Sequence, residues 1–103
     1  MQQFDLYQNA NPRTREAIPL LLDVQSDLLA SLNTRMVIPL SRAKGLAGIH
    51  RLMPEVRGGG ETLLLLTPQM AGIARRELGE PVGNLAHLRR EIIAAIDLLI
   101  SGI

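Results

Sequence analysis

Two carboxylates stand close together in the sequence and are the first candidates for chemistry. Asp23 and Asp27 bracket residues 24–26, and paired carboxylates can divide general acid and general base roles between them. Neither a nucleophile nor an electrophilic group accompanies them. Asp, Gln and Ser side chains also commonly bind backbone groups where a strand ends. We therefore expect a structural role for both carboxylates and no catalytic residue in the chain.

The histidines and glycines give no stronger signal of a reactive site. His50 and His87 stand outside any spacing typical of a catalytic or metal-binding site, and the chain has no cysteine. We expect His87 to face solvent. A phosphate-binding loop would need Gly-Lys-Ser/Thr after the glycine triplet 58–60, and that motif is absent. The triplet is typical of a hairpin turn, and we expect no metal and no cofactor.

Composition narrows the class of protein. A chain of 103 residues is the size of one domain, and a 47% hydrophobic content with only two aromatic residues, Phe4 and Tyr7, predicts an aliphatic core. The formal charge of +1 is far below that of proteins that bind nucleic acid directly. Without a signal-like start, a spanning apolar run or cysteine, the sequence indicates a cytoplasmic protein with no membrane contact.

Hydropathy patterns predict a mainly β protein. Apolar alternation, β-branched residues and flanking turn formers predict strands over residues 2–7, 17–24, 34–40 and 73–78, and a hairpin of 55–57 with 61–67 around the glycine triplet. Residues 41–53 mix helical spacing with glycines, which favours a loop with one or two helical turns.

One amphipathic helix is expected near the end of the sequence. From Asn84 onward, apolar residues recur every three or four positions at 85, 88, 92, 95, 96 and 99. Asn84 is a plausible N-cap, and Gly102 can adopt the left-handed conformation that ends a helix. The sequence closes on apolar Ile103, which would either cover the core or form a binding tip.

Several stretches together resemble the CcdB family of toxins from toxin–antitoxin modules. They are the residue pair Gln3-Phe4 with Tyr7, residues 23–29, residues 35–40, residues 70–82 and residues 94–103. The resemblance covers nearly the whole chain. It implies one domain, residues 1–103, built as an SH3-like barrel from an antiparallel sheet, a small side hairpin and a C-terminal α-helix.

The resemblance also implies a function. Such a protein would be a homodimer that binds the A subunit of DNA gyrase and traps the gyrase–DNA cleavage complex. A cognate antitoxin would neutralise it and would supply the DNA contacts when the two repress their own operon. This implies no enzymatic activity, and contact with DNA only through gyrase or the antitoxin.

Residues of a gyrase-binding site carry over by position. They are Leu28, Leu29, Asp97, Ser101, Gly102 and Ile103. Plasmid-type members of the family have Trp where this chain has Ser101, and losing an indole removes a side chain of the kind that dominates interfaces. Chromosomal-type members have a small hydroxyl residue before Gly-Ile, so we interpret Ser101 as a mark of that subtype.

Two alternatives stay open. The same barrel serves RNA-cleaving toxins, although the sequence shows only scattered arginines and two histidines where a ribonuclease needs a positioned base, acid or cation. A decayed toxin that retains only antitoxin binding is the other possibility.

Overall fold

The computed structural model describes residues 1–42 and 49–103. The strands and the α-helix of these residues are β1 (Asp5–Asn9), β2 (Leu20–Asp23), β3 (Thr34–Ser41), β4 (Glu55–Gly58), β5 (Glu61–Leu65), β6 (Ala71–Ala74), β7 (Leu78–Asn84) and α1 (Arg89–Ser101). Short 3₁₀ helices cover Asp27–Leu29, Thr67–Gln69, Arg75–Glu77 and Ala86–Leu88. None of the helices in these residues is long and apolar enough to cross a bilayer.

The strands form an antiparallel sheet that curls into a half-barrel. Its order is β4-β5-β3-β2-β1-β7, and β6 pairs with the first half of β3. The β4–β5 pair is the predicted side hairpin, and Gly59 and Gly60 turn it with φ angles of 59° and 84° that favour glycine. The predicted fold, mainly antiparallel β with a C-terminal helix, is confirmed.

The core is formed by side chains of the sheet together with side chains of α1. Leu22, Ile38 and Leu65 from the sheet and Ile92 from the helix are completely buried. Aliphatic side chains fill most of this cluster, as composition predicts, and Phe4 joins them at 2% exposure. Burying such side chains is the main source of stability, at about 1.5–3 kcal/mol for each large one.

Several expected elements differ in their bounds. The strand expected over 2–7 is Asp5–Asn9, the one expected over 17–24 is Leu20–Asp23, and the second hairpin strand, expected over 61–67, ends at Leu65. The strand predicted over 73–78 is wrong: β6 ends at Ala74, a 3₁₀ turn follows, and β7 takes in Gly79 and Pro81. The helix starts at Arg89, and Leu88 rather than Asn84 stands at its N-cap position, so the N-cap predicted at Asn84 is wrong. The Asn84 side chain instead accepts a hydrogen bond from the Ala86 N–H (2.7 Å), and the 3₁₀ turn Ala86–Leu88 comes before the helix. Of the loop expected over 41–53, residues 49–53 form one hydrogen-bonded turn, and residues 43–48 lie outside the described part.

Candidate functional site

The 3₁₀ turn Asp27–Leu29 carries the most exposed apolar side chain of the described residues. Leu28 is 93% exposed and Leu29 is 49% exposed. The Ser26 hydroxyl caps the turn by accepting from the Leu28 N–H at 3.2 Å, which is the sequence-local reason for the turn. No residue of the turn is buried, so the turn is not held by its own packing.

Hydrogen bonds with residues outside the turn hold it instead. Gln25, only 8% exposed, donates from Nε2 to the Leu29 carbonyl oxygen at 3.0 Å. Its Oε1 accepts from the Met36 N–H in β3, also at 3.0 Å. On the other side, Asp27 Oδ1 accepts from the Gln3 N–H at 2.8 Å. The turn is therefore fixed at two points, to β3 and to the segment that precedes β1.

Gln25 is itself anchored to a buried ion pair. Its N–H donates to Asp23 Oδ1 at 3.0 Å, while Arg35 Nε donates to Asp23 Oδ2 at 2.8 Å. Both charged side chains are 0% exposed. Burial raises the pKa of the Asp23 carboxyl, and the hydrogen bonds from Arg35 and Gln25 oppose that effect. A charged side chain is stable in a fully buried position only when an opposite charge pairs with it.

The end of α1 presents a second apolar group. Ile100 is 71% exposed and Ile103 is 84% exposed. Gly102 ends the helix in the left-handed conformation, with φ of 75° and its N–H donating to the Leu98 carbonyl at 3.1 Å, as predicted. Ser101 Oγ donates to the Asp97 carbonyl oxygen at 2.8 Å, so this hydroxyl is used within the helix.

The sequence-predicted residues thus fall into two exposed groups, namely Leu28 and Leu29 in the turn and Asp97 with residues 101–103 at the helix end. Within the described residues, no hydrogen bond or ion pair joins these groups. The turn is linked to the start of α1, because Gln3 also accepts from Arg89 Nη1 at 3.1 Å. The guanidinium of Arg89 stands 5.5 Å above the Phe4 ring.

The two carboxylates considered first do not act as a pair. Asp23 is buried against Arg35, whereas Asp27 is exposed and holds the amino-terminal segment. His50 and His87 are both exposed, as expected for His87. Among residues 1–42 and 49–103, no three His, Asp or Glu side chains come together as a metal site would require.

A polar cleft of about 430 Å³ lies between β1, β2 and the side hairpin, and sequence reasoning missed it. Arg15, Arg42 and Glu61 line it. Arg42 donates from Nε and Nη2 to the two Glu61 oxygens, at 2.9 and 3.1 Å, and from Nη1 to the Glu16 carbonyl at 2.8 Å. These bonds to Glu61 raise the pKa of the Arg42 guanidinium. No local pattern could reveal a pair separated by 19 positions.

Comparison with known proteins identifies the family. The family model described as "CcdB protein" matches residues 3–102. The chain belongs to the CcdB family. CcdB proteins are toxins of toxin–antitoxin systems, which gives the broad functional class of this chain and confirms the resemblance seen in the sequence.

Solved structures share the CcdB-like fold at low sequence identity. An endoribonuclease from a Mycobacterial species, solved in complex with its cognate antitoxin, is 13% identical, with a TM-score of 0.78 and coverage of 97% of this chain and 94% of that chain. A second Mycobacterial endoribonuclease is also 13% identical, with a TM-score of 0.75 and coverage of 97% and 90%. At this identity the likeness shows the fold alone.

These structures nevertheless correct one prediction. We expected the chain not to be an enzyme, and that prediction is wrong, because proteins that share the fold over nearly the whole chain are named as enzymes. The fold therefore gives no ground for excluding catalysis.

Proposed function

We propose that this CcdB-family chain, a single domain over residues 1–103, is a toxin that binds the A subunit of DNA gyrase and traps the gyrase–DNA cleavage complex. It does so as a cytoplasmic homodimer. A cognate antitoxin neutralises it and joins it in repressing their operon, with the antitoxin making the DNA contacts. The residues that bind gyrase are Leu28, Leu29, Asp97 and residues 101–103.

The exposed apolar side chains of the Asp27–Leu29 turn and of the end of α1 carry this proposal. Leu28, Ile100 and Ile103 are 93%, 71% and 84% exposed. Isolated exposed leucines are ordinary, but large apolar side chains concentrated on a capped turn and on a capped helix end are typical of protein-binding surfaces. Two residues of the family resemblance, Leu28 and Ile103, are thus among the side chains most available to a partner.

Trapping of cleaved plasmid DNA by purified gyrase tests the proposal. We expect the wild-type chain to accumulate linear, gyrase-bound DNA, and deletion of residues 102–103 or the change Leu28→Asp to abolish that accumulation. Val82→Ser is the matched control, because Val82 is an apolar residue 39% exposed on β7, outside both groups. Circular dichroism checks that each variant is folded.

The outcomes separate the alternatives. Trapping that survives the deletion would contradict the site assignment. Absence of trapping by the folded wild-type chain would contradict gyrase poisoning, and continued binding of the antitoxin encoded beside the gene would then indicate a decayed toxin.

RNA cleavage is the second candidate, and the polar cleft favours it. Arg42 holds the Glu61 carboxylate by two hydrogen bonds, and Arg15 lines the same cleft. A carboxylate can take the proton of a ribose 2′-hydroxyl as that oxygen bonds to the adjacent phosphorus. The bond from phosphorus to the 5′-oxygen of the next nucleotide breaks in the same step, and the leaving oxygen takes a proton from water. Guanidinium groups can stabilise the charge that develops on the phosphate oxygens. The endoribonucleases that share the fold make this chemistry worth testing.

Highly purified protein and a single-stranded RNA provide the test. If the cleft is a ribonuclease site, the wild-type chain cleaves the RNA and Glu61→Gln abolishes cleavage. Glu55→Gln serves as the control, since Glu55 is an exposed glutamate on the neighbouring strand of the same hairpin. Cleavage that is equal in wild type and Glu61→Gln would indicate a contaminating nuclease.

A further inference from the structure

The Asp27–Leu29 turn combines high exposure with a fixed conformation. None of its residues is buried, yet its backbone makes successive hydrogen bonds, from the Leu29 N–H to the Ser26 carbonyl at 3.0 Å and from the Ala30 N–H to the Asp27 carbonyl at 3.2 Å. A turn without buried side chains normally opens easily. Something outside the turn must therefore keep Leu28 in one place.

Gln25 is the buried side chain that does this. Its amide spans the gap between the turn and β3, donating to the Leu29 carbonyl and accepting from the Met36 N–H, both at 3.0 Å. Only one orientation of the amide satisfies both partners, because a carbonyl accepts and an N–H donates. The Leu29 carbonyl also accepts from the Leu32 N–H at 3.1 Å, so it joins the turn to the following segment.

The groups that hold Gln25 are themselves fixed by the sheet. Asp23 accepts from the Gln25 N–H and from Arg35, and the Val24 N–H donates to the Met36 carbonyl at 2.9 Å. These groups lie at the paired ends of β2 and β3, where both charged side chains are fully buried. The position of the Gln25 amide is thus set by the sheet.

We infer that Gln25 is a positioning residue, which holds the exposed Leu28 and Leu29 side chains in the arrangement that a partner protein binds. The inference rests on the proposed gyrase contact and explains how a turn without its own core serves it. Ordering an apolar side chain before binding removes part of the entropy cost of association. Loss of the Gln25 bonds therefore weakens binding without removing any contact atom.

Two substitutions of Gln25 distinguish the roles of its two side-chain hydrogen bonds. Gln25→Glu keeps an oxygen that can accept from the Met36 N–H but replaces the donor to Leu29, whereas Gln25→Met has similar length and removes both bonds. Asn9→Leu is the control, because Asn9 is also a loop-spanning amide, with bonds of 2.9 Å to Thr14 Oγ1 and to the Ile18 carbonyl.

Amide hydrogen exchange and gyrase trapping are measured on the same folded proteins. In Gln25→Glu, we expect faster exchange at Leu29, Ala30 and Leu32 while the Met36 amide stays protected; in Gln25→Met, all four amides exchange faster. Half-maximal trapping should need about tenfold more of either variant, equivalent to about 1.4 kcal/mol. Asn9→Leu should trap gyrase at the wild-type concentration even where it lowers the unfolding temperature.

Unchanged exchange in the turn of Gln25→Glu, or wild-type trapping by that variant, overturns the inference. If the wild-type chain does not trap gyrase, the proposed function fails, and the exchange measurement alone then decides whether Gln25 positions the turn.

Discussion

Alkaline titration of Tyr7 tests the packing of β1 directly, since Tyr7 is the only tyrosine of the chain and there is no tryptophan. The side chain is 5% exposed, and its hydroxyl donates to Asp5 Oδ2 at 3.3 Å. Burial raises the pKa of Tyr7 from 10.0 to about 12, and the neighbouring Asp5 charge adds to the effect. The phenol should therefore stay protonated well beyond its ordinary range.

The shift has a definite consequence for stability. Each pKa unit corresponds to 1.36 kcal/mol, so the rise from 10.0 to about 12 is equivalent to about 2.7 kcal/mol. The folded state holds the phenolic proton more tightly than the unfolded state. This contribution is therefore fully present below pH 10 and is lost as the pH rises from about 10 towards about 12.

Tyrosinate absorbance and far-ultraviolet circular dichroism, followed over the same pH range, check the prediction. Tyrosinate should appear with a midpoint near 12, or only together with loss of the fold. In Asp5→Asn the midpoint should fall part of the way towards 10, because the charge is removed while burial remains. A midpoint near 10 in wild-type protein that is still folded would refute the reasoning.

Further predictions concern stability and the helix end. Asp23→Asn leaves Arg35 without its buried counter-charge and should reduce the free energy of unfolding by about 3–5 kcal/mol, measured in urea. Gly79→Ala should cost about 1–3 kcal/mol, because its Cβ would stand 2.7 Å from a β1 carbonyl oxygen. Gly72→Ala has open space and should leave the unfolding temperature unchanged. Ser101→Trp should lower the concentration for half-maximal gyrase trapping about tenfold; unchanged trapping would indicate that this position does not touch gyrase.

Local sequence patterns correctly predicted those elements in which the preference of the residues matches their surroundings in the fold. The β-branched run in β3 and the glycines between β4 and β5 each favour one structure, and both occur where expected. The apolar spacing of α1 likewise predicted that Ile92 and Ala95 face the core, and both are 0% exposed. In these segments propensity, hydropathy and packing favour the same conformation.

The strand β7 shows why other segments were missed. Gly79, Pro81 and Gly83 are turn formers by type, so the sequence favours a loop there. Among the described residues, β7 pairs with β1 alone and does so with register shifts. An edge strand of this kind tolerates proline and glycine, because one side of its backbone does not need a partner in the sheet. Pairing with β1, and not local sequence preference, makes these residues a strand.

The residues of the proposed binding site could be named from the sequence, but the contacts that hold them in place could not. Leu28 and Ile103 follow from the family resemblance, whereas the roles of Gln25 and Arg35 depend on contacts across strands. A signal for the ion pair existed: Asp23 interrupts an apolar strand, and Arg35 alternates with buried Val37. Because Asp23 pairs with Val37, Arg35 is a diagonal neighbour two residues away, within reach of a long side chain.

Because the chain has no tryptophan, the fixed geometry of the Asp27–Leu29 turn becomes more important for the proposed binding. An indole at position 101 would supply roughly 150–250 Å² of buried surface by itself, whereas the Ser101 hydroxyl is engaged by the Asp97 carbonyl. The apolar surface left for a partner is aliphatic, chiefly Leu28, Ile100 and Ile103. Aliphatic side chains offer less contact area each, so binding depends more strongly on presenting them in a fixed geometry. The proposed gyrase contact should therefore depend on Gln25, which holds the Leu28 turn.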